Sequence, residues 1–324
     1  MHLGPFCRPR MRPCPMASEA DELVKKGDKA ARGGFFSGAD WRKAGECWEK
    51  AAVKYKLARA FAGAARAYEK ASEAQEQQGA PWHAAKHLES AATCAKDASK
   101  ASGGDATLVR ELAERAAVLY CEAGRPGTAA EALGRHAKAV DERGDTDGAL
   151  TMLKRAFELF ADEEQEHYAT DTYRAALQMM LRRERWADAR EVLLKWAQSS
   201  ERGKQPVAMC RCFLSAVVVA LHAGDFAEAE QVFSDACQVD RFSSAEEADA
   251  GDKLLAAYRA CDPEEVKAVV KGAAAMSHVE NAVLSLARRL PGAGRDLKAM
   301  VGVRASAFAD MSQMGEALDE DDLC

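Results

Sequence analysis

The sequence has no long apolar run, few aromatic residues and no excess of positive charge. Its most apolar stretch, residues 213–221, is about half of the ~18 residues that a bilayer-spanning helix needs, so we predict a buried helix there. The net charge of −6 argues against general DNA or RNA binding, which usually needs a basic surface. Aromatic residues make up only 7% while alanine is abundant, which favours close helix-on-helix packing over sheets.

Motifs for catalysis or metal binding are also missing. The ten cysteines include no CxxC pair, so we expect reduced, mostly buried thiols in a cytosolic protein. Glu164 and His167 form half of a di-iron helix motif, and the second half is not present. His83 and His87 lie on one helix face with Cys94 on the same side, but no fourth ligand is in view, and packing or surface histidines are the simpler interpretation. We predict no enzyme activity, no metal and no cofactor.

Turn-like segments recur about every 20 residues along the chain. Clear ones start at Gly124, Gly144, Glu184 and Gly224, and weaker ones lie at 79–81, 102–104, 162–164 and 203–206. One turn per 20 residues, hence about 40 per helix pair, is typical of a solenoid of helical hairpins. Between the turns the apolar residues have helical spacing, as in Leu150, Leu153, Phe157 and Phe160. We predict an all-α, TPR-like right-handed solenoid of antiparallel helix hairpins with a C-terminal helical bundle.

Composition divides the chain into four predicted segments. Residues 1–15 are rich in proline and arginine and lack the apolar core of a signal peptide, so we expect a disordered N-terminal extension over 1–17. The solenoid covers 18–260. Pro263 lies in the first turn of a predicted helix, and we predict that a helical bundle over 261–312 caps the solenoid. Residues 313–324 form an acidic flexible tail.

Two phenylalanines, Phe35 and Phe36, stand in a glycine-flanked turn between the first two predicted helices. Exposed apolar residues on a loop mark a membrane or partner contact, and inserting both rings into a bilayer interface could supply roughly 2–4 kcal/mol. The alternative is that the rings cap the first hairpin. Both interpretations stay open at this point.

Charged residues suggest two further contacts. Basic side chains near turns and along helices would line a concave face, where extended partners bind, if the solenoid curves; the alternative is solvated helix surface. These candidates are Arg125, Lys154, Arg155, Arg185 and Lys195. The acidic tail could anchor an apolar residue, Leu323, in a partner pocket, or it could only aid solubility.

Several segments together resemble the soluble NSF attachment protein (SNAP) family in its gamma form. The resemblance spans roughly Ala20 to the C-terminus and also rests on the apolar loop and the penultimate leucine. Its segments are Trp41-x6-Cys47-Trp48-Glu49-Lys50, Ala80-x-Trp82-His83-Ala84-Ala85-Lys86 and Tyr120-x-x-Ala123-Gly124-x-Pro126-x-Thr128-Ala129-Ala130.

The resemblance implies an adaptor that binds SNARE complexes of syntaxin-type proteins and recruits and stimulates the hexameric ATPase NSF. It implies that Leu323 stimulates NSF and that Phe35 and Phe36 contact the membrane. The five basic candidates, chosen for their charge, are predicted to face the acidic SNARE bundle. The acidic residues implied to contact NSF are Asp319, Glu320, Asp321 and Asp322. Such a protein is cytoplasmic and associates peripherally with vesicle, Golgi or endosomal membranes. The alternative function is a general TPR-like adaptor that binds peptide tails.

Overall fold

The computed structural model describes residues 15–33, 38–162, 166–291 and 297–301. Within these ranges the chain forms helices joined by short connections and contains no strand, which confirms the predicted all-α class. Its contacts divide the chain into two compact units, Met1–Glu163 and Glu164–Cys324, named unit 1 and unit 2 below.

Unit 1 is a series of helices in which each packs against the next in sequence. The helices are α1 (Pro15–Arg32), α2 (Trp41–Leu57), α3 (Phe61–Gln77), α4 (Pro81–Ser102), α5 (Thr107–Glu122), α6 (Pro126–Glu142) and α7 (Thr146–Asp162). Consecutive helices run antiparallel because the connections between them are too short for any other packing. The predicted helical hairpins are therefore confirmed in this unit.

One hydrogen bond recurs at the turns and explains the 20-residue spacing. A residue with positive φ ends the helix, and the next backbone N–H donates to the carbonyl oxygen five residues earlier, as in a Schellman cap. After Gly124 this bond joins Arg125 to Tyr120 at 2.8 Å. The same bond forms after Gly79, Gly144, Glu184, Lys204 and Gly224. It also forms after Arg59, where no turn signal is present in the sequence.

Ion pairs show that alternate helices of unit 1 lie side by side in two rows. The odd-numbered row is linked by Asp28 and Lys70 at 2.7 Å and by Glu69 and Arg115 at 3.0 Å. The even-numbered row is linked by Glu89 of α4 and Arg135 of α6 at 2.6 Å. Each helix buries one side against the other row. Its opposite side is exposed, so each row presents its own surface to solvent.

Small residues fill the contacts between neighbouring helices. Ala51, Ala64 and Ala91 are fully buried, as are many other alanines of unit 1. At Gly27 the approach is closer still, because an added Cβ would lie 2.5 Å from Nε1 of Trp48. That indole N–H donates to Asp28 at 3.0 Å, which fixes α1 against α2.

Unit 2 is built around α10, its most apolar helix. The helices are α8 (Glu166–Arg182), α9 (Trp186–Arg202), α10 (Pro206–Ala223), α11 (Phe226–Ala236), α12 (Asp240–Ser243), α13 (Glu246–Arg259), α14 (Pro263–Gly272), α15 (Ala274–Ser277) and α16 (Asn281–Ala287). With a mean hydropathy of 1.7, α10 is long and apolar enough to cross a membrane, but 67% of it is buried. It packs against α9, α11, α13 and α16, so α10 is a core helix, as predicted for residues 213–221.

Candidate functional site

The predicted membrane pair, Phe35 and Phe36, lies outside the described residues, but the ends of its turn are in place. α1 ends at Arg32, and α2 begins after Asp40, whose carboxylate accepts a hydrogen bond from the N–H of Lys43 at 2.9 Å. An open cleft of about 490 Å³ lies between these ends, and Lys26, Lys29 and Lys43 line it. All three lysines are exposed, and none pairs with a carboxylate among the residues described. The surface at the two ends of the turn is therefore basic.

The predicted NSF-binding residues, Asp319 to Asp322 and Leu323, also lie outside the described residues. The chain leads toward them through Leu297 to Val301, which is helical and belongs to unit 2.

The five basic residues predicted to bind SNAREs divide between the units and differ in their availability. Arg125 is exposed in the turn before α6, and Arg155 is exposed in the middle of α7. Lys154 takes part in an intramolecular interaction. In unit 2, Arg185 pairs with Asp188 at 2.6 Å and Lys195 with Glu191 at 3.5 Å. Of the five residues, Arg125 and Arg155 are therefore the most accessible to a charged partner.

A second basic surface, not selected from the sequence, lies on the even-numbered row of unit 1. Its members are exposed lysines that form no ion pair within the described ranges: Lys56, Lys86, Lys96, Lys100 and Lys138. We call this set the even-row lysines. Lys86 lies over the ring of Trp82 at 4.0 Å, so one cation of the surface is held beside a partly exposed aromatic ring. The set extends over α2, α4 and α6, and such a surface suits an elongated acidic partner.

The odd-numbered row has a different charge. On α3, α5 and α7 the exposed side chains that the structure describes include six acidic and three basic ones: Glu73, Glu76, Glu111, Glu122, Asp147 and Glu158, and Arg66, Arg115 and Arg155. Two rows of one unit therefore present different charges to solvent. The position of lysines relative to turns does not predict this difference in charge between the rows. Helical periodicity could have predicted it, because it places Lys86, Lys96 and Lys100 on one side of α4.

A partly buried polar network joins α4, α5 and α6. Glu89 accepts hydrogen bonds from the Tyr120 hydroxyl at 2.8 Å and from Arg135 at 2.6 Å. Burial disfavours ionisation of Glu89, but these hydrogen bonds outweigh it and hold the pKa of its carboxyl below the usual value. Burial, and then the Glu89 carboxylate, raise the pKa of Tyr120.

His136 is next to this network and is 5% exposed. Burial lowers its pKa to about 4, with the charges of Arg135 and Lys96 acting in the same direction and Glu89 opposing them. The imidazole is therefore neutral at physiological pH, and the even row is held together without a charge at this position.

The histidines considered as metal ligands make ring contacts instead. His83 lies edge-on to Trp82 at 5.0 Å between ring centroids, and His87 stacks on Tyr68 at 6.1 Å. Burial lowers the pKa of His87. Across the described ranges no group of three or more His, Cys, Asp or Glu residues could hold a metal ion. The side chains of Glu164 and His167 lie outside the described part of the chain.

Comparison with known proteins gives one family. The family described as "Soluble NSF attachment protein, SNAP" matches residues 18–289. The chain is 32% identical over 309 residues to the gamma-soluble NSF attachment protein of Arabidopsis thaliana, covering 95% of this chain and 100% of that protein. It is 24% identical over 273 residues to the gamma-soluble NSF attachment protein of Dictyostelium discoideum, covering 84% of this chain and 82% of that one.

The low pKa of His136 makes stability depend on pH in a defined window. The unfolded chain protonates this histidine near pH 6.5, whereas the folded chain does so only near pH 4, so acid favours unfolding between these values. We expect the fall in unfolding free energy from pH 7 to pH 5 to be about 2 kcal/mol smaller in His136→Gln than in the wild type. Urea denaturation at both pH values measures this difference. The control is His83→Gln at an exposed position, which should show the same decrease in unfolding free energy as the wild type. An unchanged decrease in His136→Gln would contradict the lowered pKa of His136.

Proposed function

The chain belongs to the soluble NSF attachment protein family, and we propose that it is an adaptor that binds SNARE complexes and recruits and stimulates the NSF ATPase to take them apart. The observation that carries this proposal is the extent of the family match, which includes nearly all of the helices in both units. In this proposal the chain supplies binding surfaces, and the ATPase supplies the energy for disassembly.

We propose that the SNARE complex contacts the even-row lysines. A SNARE complex is a four-helix rod with a largely acidic surface, and cations spread over α2, α4 and α6 could follow such a rod. The exposed charges of Arg125 and Arg155 form the second candidate contact, because Lys154, Arg185 and Lys195 interact within the chain. Several copies around one rod would gain affinity through multivalency.

We propose that the acidic tail engages NSF and that Leu323 is its apolar anchor. The names of the two relatives support attachment to NSF in general, and the choice of the tail residues rests on the family resemblance. Asp319 to Asp322 would contact basic NSF surfaces, and the leucine would occupy a pocket that a charged side chain could not fill.

We further propose that Phe35 and Phe36 contact the membrane, with support from the lysines at the base of their turn. Two rings alone give weak attachment, and a second contact is needed for stable binding. Lys26, Lys29 and Lys43 could provide it by attraction to anionic lipids, which contributes about 1 kcal/mol for each basic residue near the surface. The chain would then be a peripheral membrane protein of the vesicle pathway.

Reversing charge on α4 tests the SNARE contact. We expect the triple variant Lys86→Glu, Lys96→Glu, Lys100→Glu to bind assembled SNARE complexes about tenfold more weakly or worse, since each lost charge pair costs up to about 1 kcal/mol. Surface plasmon resonance at two salt concentrations measures the affinity and its salt dependence.

The matched control for this variant reverses three exposed lysines of unit 2, Lys253, Lys267 and Lys271. It should bind SNARE complexes like the wild type. A loss confined to the Arg125→Glu, Arg155→Glu variant would place the contact on the second candidate surface, and equal losses in all three variants would show only a general charge effect.

Replacing the penultimate leucine tests the NSF contact. We expect Leu323→Ala to keep the wild-type affinity for SNARE complexes and to slow NSF-driven disassembly several-fold, because only the anchor for the ATPase is lost. A fluorescence assay of disassembly with purified NSF measures the rate. The control is Leu318→Ala, which removes the same side chain five residues earlier in the same tail, and an equal effect of both variants would contradict a special role of Leu323.

Vesicle binding tests the membrane contact. We expect Phe35→Ser, Phe36→Ser to reduce flotation with both neutral and anionic vesicles, by about tenfold or more in affinity, because two rings lose their burial. The Lys26→Gln, Lys29→Gln, Lys43→Gln variant should lose affinity only for vesicles that contain phosphatidylserine. Leu57→Ser is the control, since Leu57 is an exposed apolar residue at the other end of α2. Unchanged flotation of the phenylalanine variant would refute the contact.

A further inference from the structure

A small cavity lined by both polar and apolar side chains lies within unit 2. It measures about 140 Å³ and lies between α8, α9, α10 and the segment before α16. Its polar lining consists of Thr170, Arg174, Gln205, Arg211, Ser215, His278 and Glu280, and its apolar lining includes Leu193, Trp196 and Ala208. The cavity exceeds the space that one water needs and is smaller than the pockets that hold drug-sized molecules. Its size therefore suits a small ligand.

The two arginines of the cavity differ in how their charges are compensated. Arg174 donates through Nε to both carboxylate oxygens of Glu280 at 3.1 Å and through another nitrogen to Asp171 at 2.8 Å. Arg211 is half-buried, and its Nε is buried without a hydrogen-bond partner. Within the part of the chain that the structure describes, no carboxylate pairs with Arg211.

The buried Nε of Arg211 lacks a hydrogen-bond partner. Leaving a buried donor unsatisfied carries a free-energy cost, which is larger where the group is charged. An anion bound at Arg211 would remove this cost, because the guanidinium fork matches the oxygens of carboxylate and phosphate groups. Arg174 is paired with both Glu280 and Asp171, so Arg211 is the cation of the lining that has no carboxylate partner among the described residues.

The remaining groups favour phosphate over carboxylate. Thr170, Gln205 and His278 add possible donors to those of the arginines, which is more than the two oxygens of a carboxylate can use. The Ser215 hydroxyl donates to the Arg211 carbonyl at 2.6 Å and is already engaged. We propose that this cavity is a binding site for a small phosphate-bearing anion, with Arg211 as its main contact.

The site is suited to binding and not to reaction at its cysteine. Burial, and then the charge of Glu280, raise the pKa of the Cys212 thiol, so the thiol stays protonated at physiological pH. A bound anion would join α8, α10 and the segment around Glu280, which are far apart in sequence. We therefore expect occupancy to stabilise unit 2.

Titration with inorganic phosphate tests the proposal on the full chain. We expect phosphate to raise the thermal unfolding midpoint more than chloride or acetate at the same ionic strength, and calorimetry to detect binding of one phosphate per chain. Arg211→Gln should weaken phosphate binding about tenfold or more, because one charge-assisted hydrogen bond contributes about a factor of ten in affinity. Arg211→Lys keeps the charge without the fork and should fall between the two.

Two further variants guard against a trivial result. Arg241→Gln removes the same charge at an exposed position of unit 2 that does not line the cavity, and it should bind phosphate like the wild type. Ala208→Leu fills the cavity without a change of charge and should abolish the phosphate response while circular dichroism shows the native helix content. A phosphate response that persists in Arg211→Gln or Ala208→Leu, or that acetate or chloride reproduces, would overturn the proposal.

Discussion

The structure depends on how closely its helices can approach one another. Fully buried alanines such as Ala51, Ala64 and Ala91 lie where neighbouring helices meet, and at Gly27 even a methyl group would overlap with Trp48. Small residues at these points leave the larger side chains, such as Tyr120 and Leu133, to fill the spaces between crossings. Close approach also brings Glu89 within reach of Arg135 and Tyr120, so the polar network of the even row follows from the same constraint.

Turn chemistry made the order of the helices predictable, whereas the surfaces were harder to predict. Gly124, Gly144 and Gly224 end helices with positive φ as their residue type suggests, and prolines begin α4, α6 and α10. Arg59 adopts the same conformation without a sequence signal, because the Schellman hydrogen bond and the packing of α2 against α3 impose it. The class and the hairpins could thus be predicted, but not every helix end.

The binding surfaces depend on which side of each helix is buried, and spacing relative to the turns does not give that. Selecting basic residues near turns identified Arg185, which is engaged by Asp188, and missed Lys96 and Lys100, which are exposed without an ion pair within the described ranges. The cavity of unit 2 could not be predicted at all, since Arg174 and Glu280 are 106 residues apart. Such contacts arise from tertiary packing, and one sequence carries no local sign of them.

The sequential packing within unit 1 also has a consequence for how the chain folds. In unit 1 the extensive contacts join each helix to the next, and the ion pairs between alternate helices span 46 residues or fewer. Contacts between sequence neighbours give a low contact order, and chains of this kind lose little entropy before favourable contacts form. Folding can therefore nucleate at any hairpin and spread to its neighbours, and the N-terminal hairpins can become native while later ones are still being synthesised.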